Sequence, residues 1–152
     1  MAFPTDLEIN LPYLYEEDNE KWLQITIKLL KEKRLTELDL DNLIEELELL
    51  GRRDKLAVES LLEQIIRHLL LLQYWTLESD YNANHWKAEI MSFRNQLQDY
   101  LTTNLHNHCD DNLEKVYQKA LKYVNQKTGF SVNFPAECPH TLSQLLDVNW
   151  LP

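Results

Sequence analysis

The chain has 152 residues, of which 25 are acidic and 15 basic, so its net charge is −10 at pH 7. This length suits one domain that buries enough apolar surface to fold without a disulfide or a metal. The negative charge repels nucleic-acid phosphates and anionic lipids at long range, so we expect neither nucleic acid nor a membrane as a partner. Only 2 Gly and 5 Pro are present, which favours helices over tight hairpins. We predict a single all-α domain spanning residues 1–152.

The acidic excess is concentrated in the first third, where residues 1–50 carry 13 acidic and 5 basic side chains. Such a surface either attracts a basic partner protein or keeps a small protein soluble. The two cysteines, Cys109 and Cys138, have no paired spacing, and the first residues lack the cationic and apolar regions of a secretory signal. We therefore expect a cytoplasmic location. No apolar run approaches the roughly 20 residues of a transmembrane helix.

The first 50 residues predict an arm followed by two helices. Residues 1–15 hold two prolines and an apolar run, which suggests an extended N-terminal arm packed on the body. Apolar residues at helical spacing predict a helix over 16–33. A second helix is predicted from Asp39, whose carboxylate can cap the first turn, to a stop at Gly51. The apolar stripe of this second helix consists of Leu40, Leu43, Ile44, Leu47 and Leu50.

The segment 54–75 is predicted to be the central helix. Its main apolar stripe is accompanied by Ile66, Leu70 and Leu71, which spread apolar character around most of the cylinder. A helix that is apolar on most sides is usually buried among other helices. We therefore predict that this helix is the most buried element of the fold.

The second half of the chain predicts two further main helices and a short C-terminal one. The polar segment 76–84 is expected to be a loop, followed by a helix over 85–103 and a polar loop through His106 and Cys109. A helix beginning near Leu113 should stop at Gly129. A short helix is predicted at 141–146. The predicted architecture is a compact bundle of about five main helices plus this short one.

Several blocks of the sequence occur in an order that resembles a known family. They are YEED at 15–18 with Trp22, LDLDNLIEELELLGR at 38–52, RHLLLLQYW at 67–75, HWKAEI at 85–90 with Arg94, and FPAECPHTLSQLLD at 134–147 with a final WLP. Together they resemble the bacterial domain of unknown function 29 family over about residues 15–152. The resemblance implies an all-helical domain and no established activity.

Three features depart from the pattern of that family. Arg53 stands where the family often has Ser, and His140 stands where Tyr is usual. The segment HNHCDD at 106–111 is not recognised as a motif of the family. The resemblance therefore implies no role for these positions.

Two patterns could suggest a metal, but neither forms a complete ligand set. His106, His108, Cys109, Asp110 and Asp111 are potential zinc ligands. They lie in one short segment, whereas structural zinc sites combine two separated ligand pairs, and Cys138 and His140 are about thirty residues away. Adjacent carboxylates at Glu45, Glu46 and Glu48 resemble a di-iron bundle, but the Glu-x-x-His spacing occurs only from Glu137 to His140, across Pro139. We expect no metal and no cofactor.

A polar constellation is the remaining candidate site, and it consists of Asn42, Glu46, His68, Trp86 and Arg94. Glu46, His68 and Arg94 each fall at the margin of an apolar stripe, so they could converge between helices. In a functional interpretation His68 acts as a base or donor, Arg94 binds an anion and Glu46 orients one of them. In a structural interpretation they form an interhelical ion-pair network, and Trp86 fills the core.

No nucleophile motif or phosphate-binding glycine loop is present, so an enzyme is less expected than a binding protein. The leading hypothesis is a non-enzymatic interaction or regulatory domain whose acidic N-terminal third binds another protein, such as an antitoxin-like inhibitor of a basic protein. The alternative is a small hydrolase-like enzyme or anion-binding protein that uses Glu46, His68 and Arg94. A deep pocket at those residues would favour the alternative, whereas a flat acidic or apolar patch would favour the binder.

Overall fold

The computed structural model describes residues 9–152, which contain seven α-helices, one 3-10 turn and no β-strand. The helices are α1 (Leu11–Glu17), α2 (Asn19–Lys31), α3 (Leu40–Tyr74), α4 (Thr76–Tyr100), α5 (Thr103–Asp111), α6 (Leu113–Lys127) and α7 (Leu142–Leu146), and the 3-10 turn is Leu35–Glu37. The prediction of an all-α fold is confirmed. None of the helices in this part of the chain has the length and apolar character needed to cross a bilayer.

The chain divides into two units, an N-terminal unit up to Arg52 and a C-terminal unit from Arg53 onwards. Helix α3 contributes residues to both. Each unit has its own apolar cluster.

The N-terminal unit begins with a helix where an extended arm was predicted. The side chain of Asn10 accepts a hydrogen bond from the Tyr13 amide at 3.2 Å, and Pro12 lies in the first turn, where its missing N–H costs nothing. The arm prediction is therefore wrong for the part within Leu11–Glu17, while residues 1–8 lie outside the described residues. Leu11 packs with Trp22, Ile25 and Leu29 of α2.

The two predicted helices on either side of Gly51 are one continuous helix. Gly51 lies inside α3 and does not end it. A glycine in a helix costs only about 1 kcal/mol relative to alanine, which its helix-forming neighbours outweigh. An added Cβ at Gly51 would meet no atom within 4 Å.

The apolar stripe predicted for this part of α3 is mostly not buried. Leu43 packs against the N-terminal cluster. Leu40, Ile44, Leu47 and Leu50 are each more than half exposed. Helical periodicity identifies such a stripe but does not say whether another element covers it.

Two predicted loops are helical. The segment 76–84 forms the first turns of α4, and the segment through His106 and Cys109 forms α5. Neither segment contains Gly or Pro, so nothing in it breaks a helix, and polar residues are compatible with a solvated helix face. The side chain of Thr102 caps α5 by accepting from the Leu105 amide at 3.2 Å.

The core of the C-terminal unit is built around α3. Seven α3 residues are buried, and they are Val58, Leu62, Ile65, Ile66, Leu69, Leu70 and Leu71. Residues from α4, α6 and α7 join them in one cluster, and so does the α5 thiol of Cys109. The prediction that 54–75 is the central, most buried helical segment is confirmed for this unit.

The end of α6 and the short α7 also follow the sequence prediction. Gly129 has a positive φ of 62° just after α6, as expected of a left-handed helix stop. Thr141 and Gln144 form a capping box at the start of α7.

Candidate functional site

Asn42 and Glu46 belong to a hydrogen-bonded cluster in the N-terminal unit. The Tyr15 hydroxyl donates to Glu46 Oε2 at 2.8 Å, and this bond, with burial, raises the pKa of Tyr15 to about 12. Asp39 Oδ2 accepts from Asn42 Nδ2 at 2.7 Å and from Trp22 Nε1 at 3.2 Å. These groups hold the start of α3 against α1 and α2.

Sequence reasoning missed Tyr15 and Trp22 as partners in this cluster. Their rings pack edge to face with centroids 4.8 Å apart. The available signal was the spacing of Asp39, Asn42 and Glu46, which places three polar side chains on the inner face of one helix.

His68 lies in the C-terminal unit and is half-buried. Its Nδ1 lies 2.7 Å from the Gln64 carbonyl oxygen, which can only accept, so Nδ1 carries the proton. The neutral ring therefore presents its lone pair at Nε2. Burial lowers the pKa of His68. Its ring packs against the Phe93 ring, with the two ring centroids 5.5 Å apart.

Arg94 is 2 % exposed and fastens the C-terminal segment to α4. Its guanidinium donates to three backbone carbonyls, of Leu145 at 2.8 Å, Trp150 at 2.8 Å and Gln144 at 3.1 Å. The Leu145 carbonyl lies in the last turn of α7, where carbonyls lack a partner within the helix and a cation is favourable. The Gln144 carbonyl also accepts from the Asp147 amide at 3.3 Å. Burial lowers the pKa of Arg94, while the charge of Asp147 opposes that shift.

The five predicted site residues are thus engaged in separate ways. Asn42 and Glu46 share one cluster in the N-terminal unit, whereas His68, Trp86 and Arg94 each have their own partners in the C-terminal unit. Trp86 stacks on Trp75 with ring centroids 6.2 Å apart and fills the core. The acceptors of Arg94 are backbone carbonyls, where the structural interpretation expected a carboxylate.

A charged cluster that the sequence did not suggest joins α3 to α5 and α6. Glu59 Oε1 lies 3.8 Å from His108 Nε2 and 3.6 Å from Lys115 Nζ, and both the oxygen and the His108 nitrogen are buried without a hydrogen bond. On its other side the His108 ring contacts Asn112 Nδ2 at 3.3 Å. The signal in the sequence was a carboxylate, Glu59, placed beside core positions of the central helix.

The polar segment that suggested zinc is distributed around helix α5. His108 faces Glu59, whereas Cys109 is buried in the core, where burial raises its pKa to about 11. A thiol with that pKa is a poor metal ligand and nucleophile at neutral pH. Within residues 9–152 no group of three or more His, Cys, Asp or Glu side chains is arranged to hold a metal ion.

A shallow groove of about 300 Å³ lies in the C-terminal unit, where α3 meets α4. Residues 74–77 and 131–133 line it, and all of them are uncharged. None of the five predicted site residues contributes to it. The groove is therefore separate from the predicted site residues.

One surface feature of the described residues is an apolar stripe on α3 that runs beside carboxylates. At about 3.6 residues per turn, Leu40, Ile44 and Leu47 lie on one side of the helix. Asp41, Glu45 and Glu48 are exposed along the adjacent side. We refer to these six residues as the α3 face.

The family model described as Domain of unknown function DUF29 matches residues 14–151. The chain belongs to this family. No curated protein and no solved structure matches it. Membership of the DUF29 family assigns no activity to the α3 face.

Two histidines of this DUF29 domain, the half-buried His68 and the buried His140, lead to a prediction about pH. Burial lowers the pKa of His68 and of His140, so the folded protein resists protonation that the unfolded chain accepts below about pH 6.5. The two neutral histidines therefore make their full contribution to the free energy of unfolding above about pH 6.5. This contribution is lost as the pH falls through their lower pKa in the folded protein. Urea unfolding should give a smaller free energy at pH 5.5 than at pH 7.5.

The control for this prediction separates buried from exposed histidines. His68→Gln should reduce the difference in unfolding free energy between the two pH values, because it removes one of the two groups. His106→Gln, on the exposed side of α5, should leave the difference unchanged. An equal effect of both substitutions would contradict the assignment.

Proposed function

We propose that this chain is a non-enzymatic protein-interaction domain whose N-terminal unit binds a basic surface of another protein. The observation that carries the proposal is the α3 face, where exposed leucine and isoleucine side chains lie beside exposed carboxylates. Contiguous exposed apolar side chains rimmed by polar residues are typical of protein-binding surfaces.

A second apolar stripe in the same unit supports the proposal. Leu23, Ile27 and Leu30 recur at helical spacing on α2, and each is more than two-fifths exposed. Their neighbours Trp22, Ile25 and Leu29 form the buried side of the helix. The N-terminal unit therefore exposes apolar side chains on two of its helices.

Charge supports a basic partner. The segment 40–50 contains four acidic side chains and no Lys or Arg. Such a surface accelerates association with a basic protein and disfavours acidic competitors. A cytoplasmic location belongs to the same proposal, because both cysteines are free thiols, as is usual in a reducing compartment.

Amine cross-linking in the source cells, followed by mass spectrometry, tests this proposal. Lysines of a basic partner should be linked to Lys21, Lys31 and Lys33, which are exposed in the N-terminal unit. The matched control is a set of three exposed lysines in the C-terminal unit, Lys115, Lys119 and Lys122, which equals the first set in number. Intermolecular links confined to the control lysines, or no links to another protein, would contradict the proposal.

A further inference from the structure

The side chains of the α3 face are arranged as two parallel rows. The apolar row, Leu40, Ile44 and Leu47, spans about 10 Å along the helix axis at about 1.5 Å per residue. Leu50 extends the apolar surface by another turn and is also more than half exposed. The acidic row follows immediately, one residue later at each step.

The spacing of the apolar row matches the way one helix packs on another. Residues separated by three and four positions form a ridge that fits between the side chains of a facing helix. Amphipathic helices are recognised through such anchors at i, i+4 and i+7. A partner helix of about three turns would cover the row from Leu40 to Leu50.

The acidic row restricts the chemistry of that helix. Asp41, Glu45 and Glu48 lie where the flank of a docked helix would lie, so lysine or arginine on that flank would form ion pairs across the contact. A second copy of this chain docked face to face with its α3 antiparallel would bring two acidic rows together, which opposes that form of self-association. Anionic lipid headgroups and nucleic-acid phosphates are repelled in the same way.

We infer that the α3 face is the docking site for a basic amphipathic helix of another protein. The apolar side of that helix covers Leu40, Ile44 and Leu47, and its cationic flank pairs with Asp41, Glu45 and Glu48. This inference rests on the proposed function and specifies both the surface and the class of partner.

Fluorescence anisotropy with the full chain and three labelled peptides of about 20 residues tests the inference. The first peptide is a leucine and lysine helix with one apolar side, the second has the same composition in scrambled order, and the third replaces lysine by glutamate. The first should bind, and its affinity should fall as salt is added, because the ion pairs are at the surface. The scrambled and acidic peptides should bind at least about tenfold more weakly, a difference of about 1.4 kcal/mol.

Substitutions in the chain locate the site. The double variant I44Q/L47Q should weaken binding of the first peptide at least about tenfold. Leu56→Gln is the matched control, because Leu56 is 64 % exposed on the same helix but on another side of it, and it should leave the affinity within about twofold. All of the substituted side chains are exposed, so circular dichroism and melting should confirm that the variants remain folded.

A second pair of variants tests the acidic row independently. E45Q/E48Q should weaken binding and flatten its dependence on salt, whereas E16Q/E17Q removes the same charge from exposed positions of α1 and should do neither. Equal losses of affinity in E45Q/E48Q and E16Q/E17Q would show a nonspecific charge effect and overturn the inference.

Normal binding by I44Q/L47Q would also overturn the α3 site while leaving the proposed function intact. Absence of binding to the first peptide would overturn the inference, and the cross-linking experiment would then decide the proposed function separately.

Discussion

Replacing Ile65 by alanine is expected to lower the free energy of unfolding by about 2–5 kcal/mol. Ile65 is fully buried in the C-terminal core on the central part of α3. The substitution removes three carbon atoms and leaves a cavity that the surrounding helices fill only partly. Urea or guanidinium melts followed by circular dichroism measure the change.

Leu56→Ala provides the matched control for this substitution. Leu56 is on the same helix but largely exposed, so its truncation should change stability by less than about 0.5 kcal/mol. A loss below about 1 kcal/mol for Ile65→Ala would show that this part of α3 is not at the centre of the core.

Replacing Arg94 by methionine is expected to cost about 3 kcal/mol or more. Methionine keeps much of the apolar stem but removes the donor from the buried Leu145 carbonyl and from the partly buried Trp150 carbonyl. The Gln144 carbonyl still accepts from the Asp147 amide. Each buried, unsatisfied acceptor costs about 1–3 kcal/mol. The free energy of unfolding of Arg94→Lys should lie between those of the native protein and Arg94→Met. An ammonium group keeps the charge but lacks the planar fork that reaches three acceptors.

The Arg94→Met variant also tests the hypothesis that Arg94 binds an anion. Calorimetry with inorganic phosphate should give no binding heat for the native protein or for Arg94→Met, because the guanidinium is already occupied by the carbonyls. Phosphate binding by the native protein that disappears in Arg94→Met, with stability unchanged, would instead support an anion site. Unchanged stability without phosphate binding would contradict the structural role of Arg94.

The sequence predicts the core of the C-terminal unit well because burial there leaves a periodic pattern. The apolar residues of α3 from Val58 to Leu71 surround the helix, and only a central position accommodates them. Helix boundaries are predicted less well. Gly51 and the polar segment 76–84 look like interruptions, but a single glycine or a run of polar residues has too small an energetic cost to end a helix without a true breaker.

The partners of the candidate site residues are harder to read from the sequence. Glu46 was predicted at the margin of a helix stripe, but its donor Tyr15 is 31 positions earlier in the chain. Arg94 binds backbone carbonyls, which every residue possesses, so no side-chain motif marks them. The exposure of Ile44 and Leu47 was missed because the apolar pattern of an uncovered helix side is the same as that of a buried one.

The bonds of Arg94 also bear on the order in which the chain folds. Its acceptors follow it by 50 to 56 positions. At roughly 5–20 residues per second of synthesis, the ribosome takes about 3–10 s to add them after Arg94. During that interval the guanidinium stays hydrated, and α4 has to form without the segment that later covers it. Attachment of α7 to α4 is therefore a late event, because it closes a loop of about 50 residues and has to wait until α7 has been synthesised.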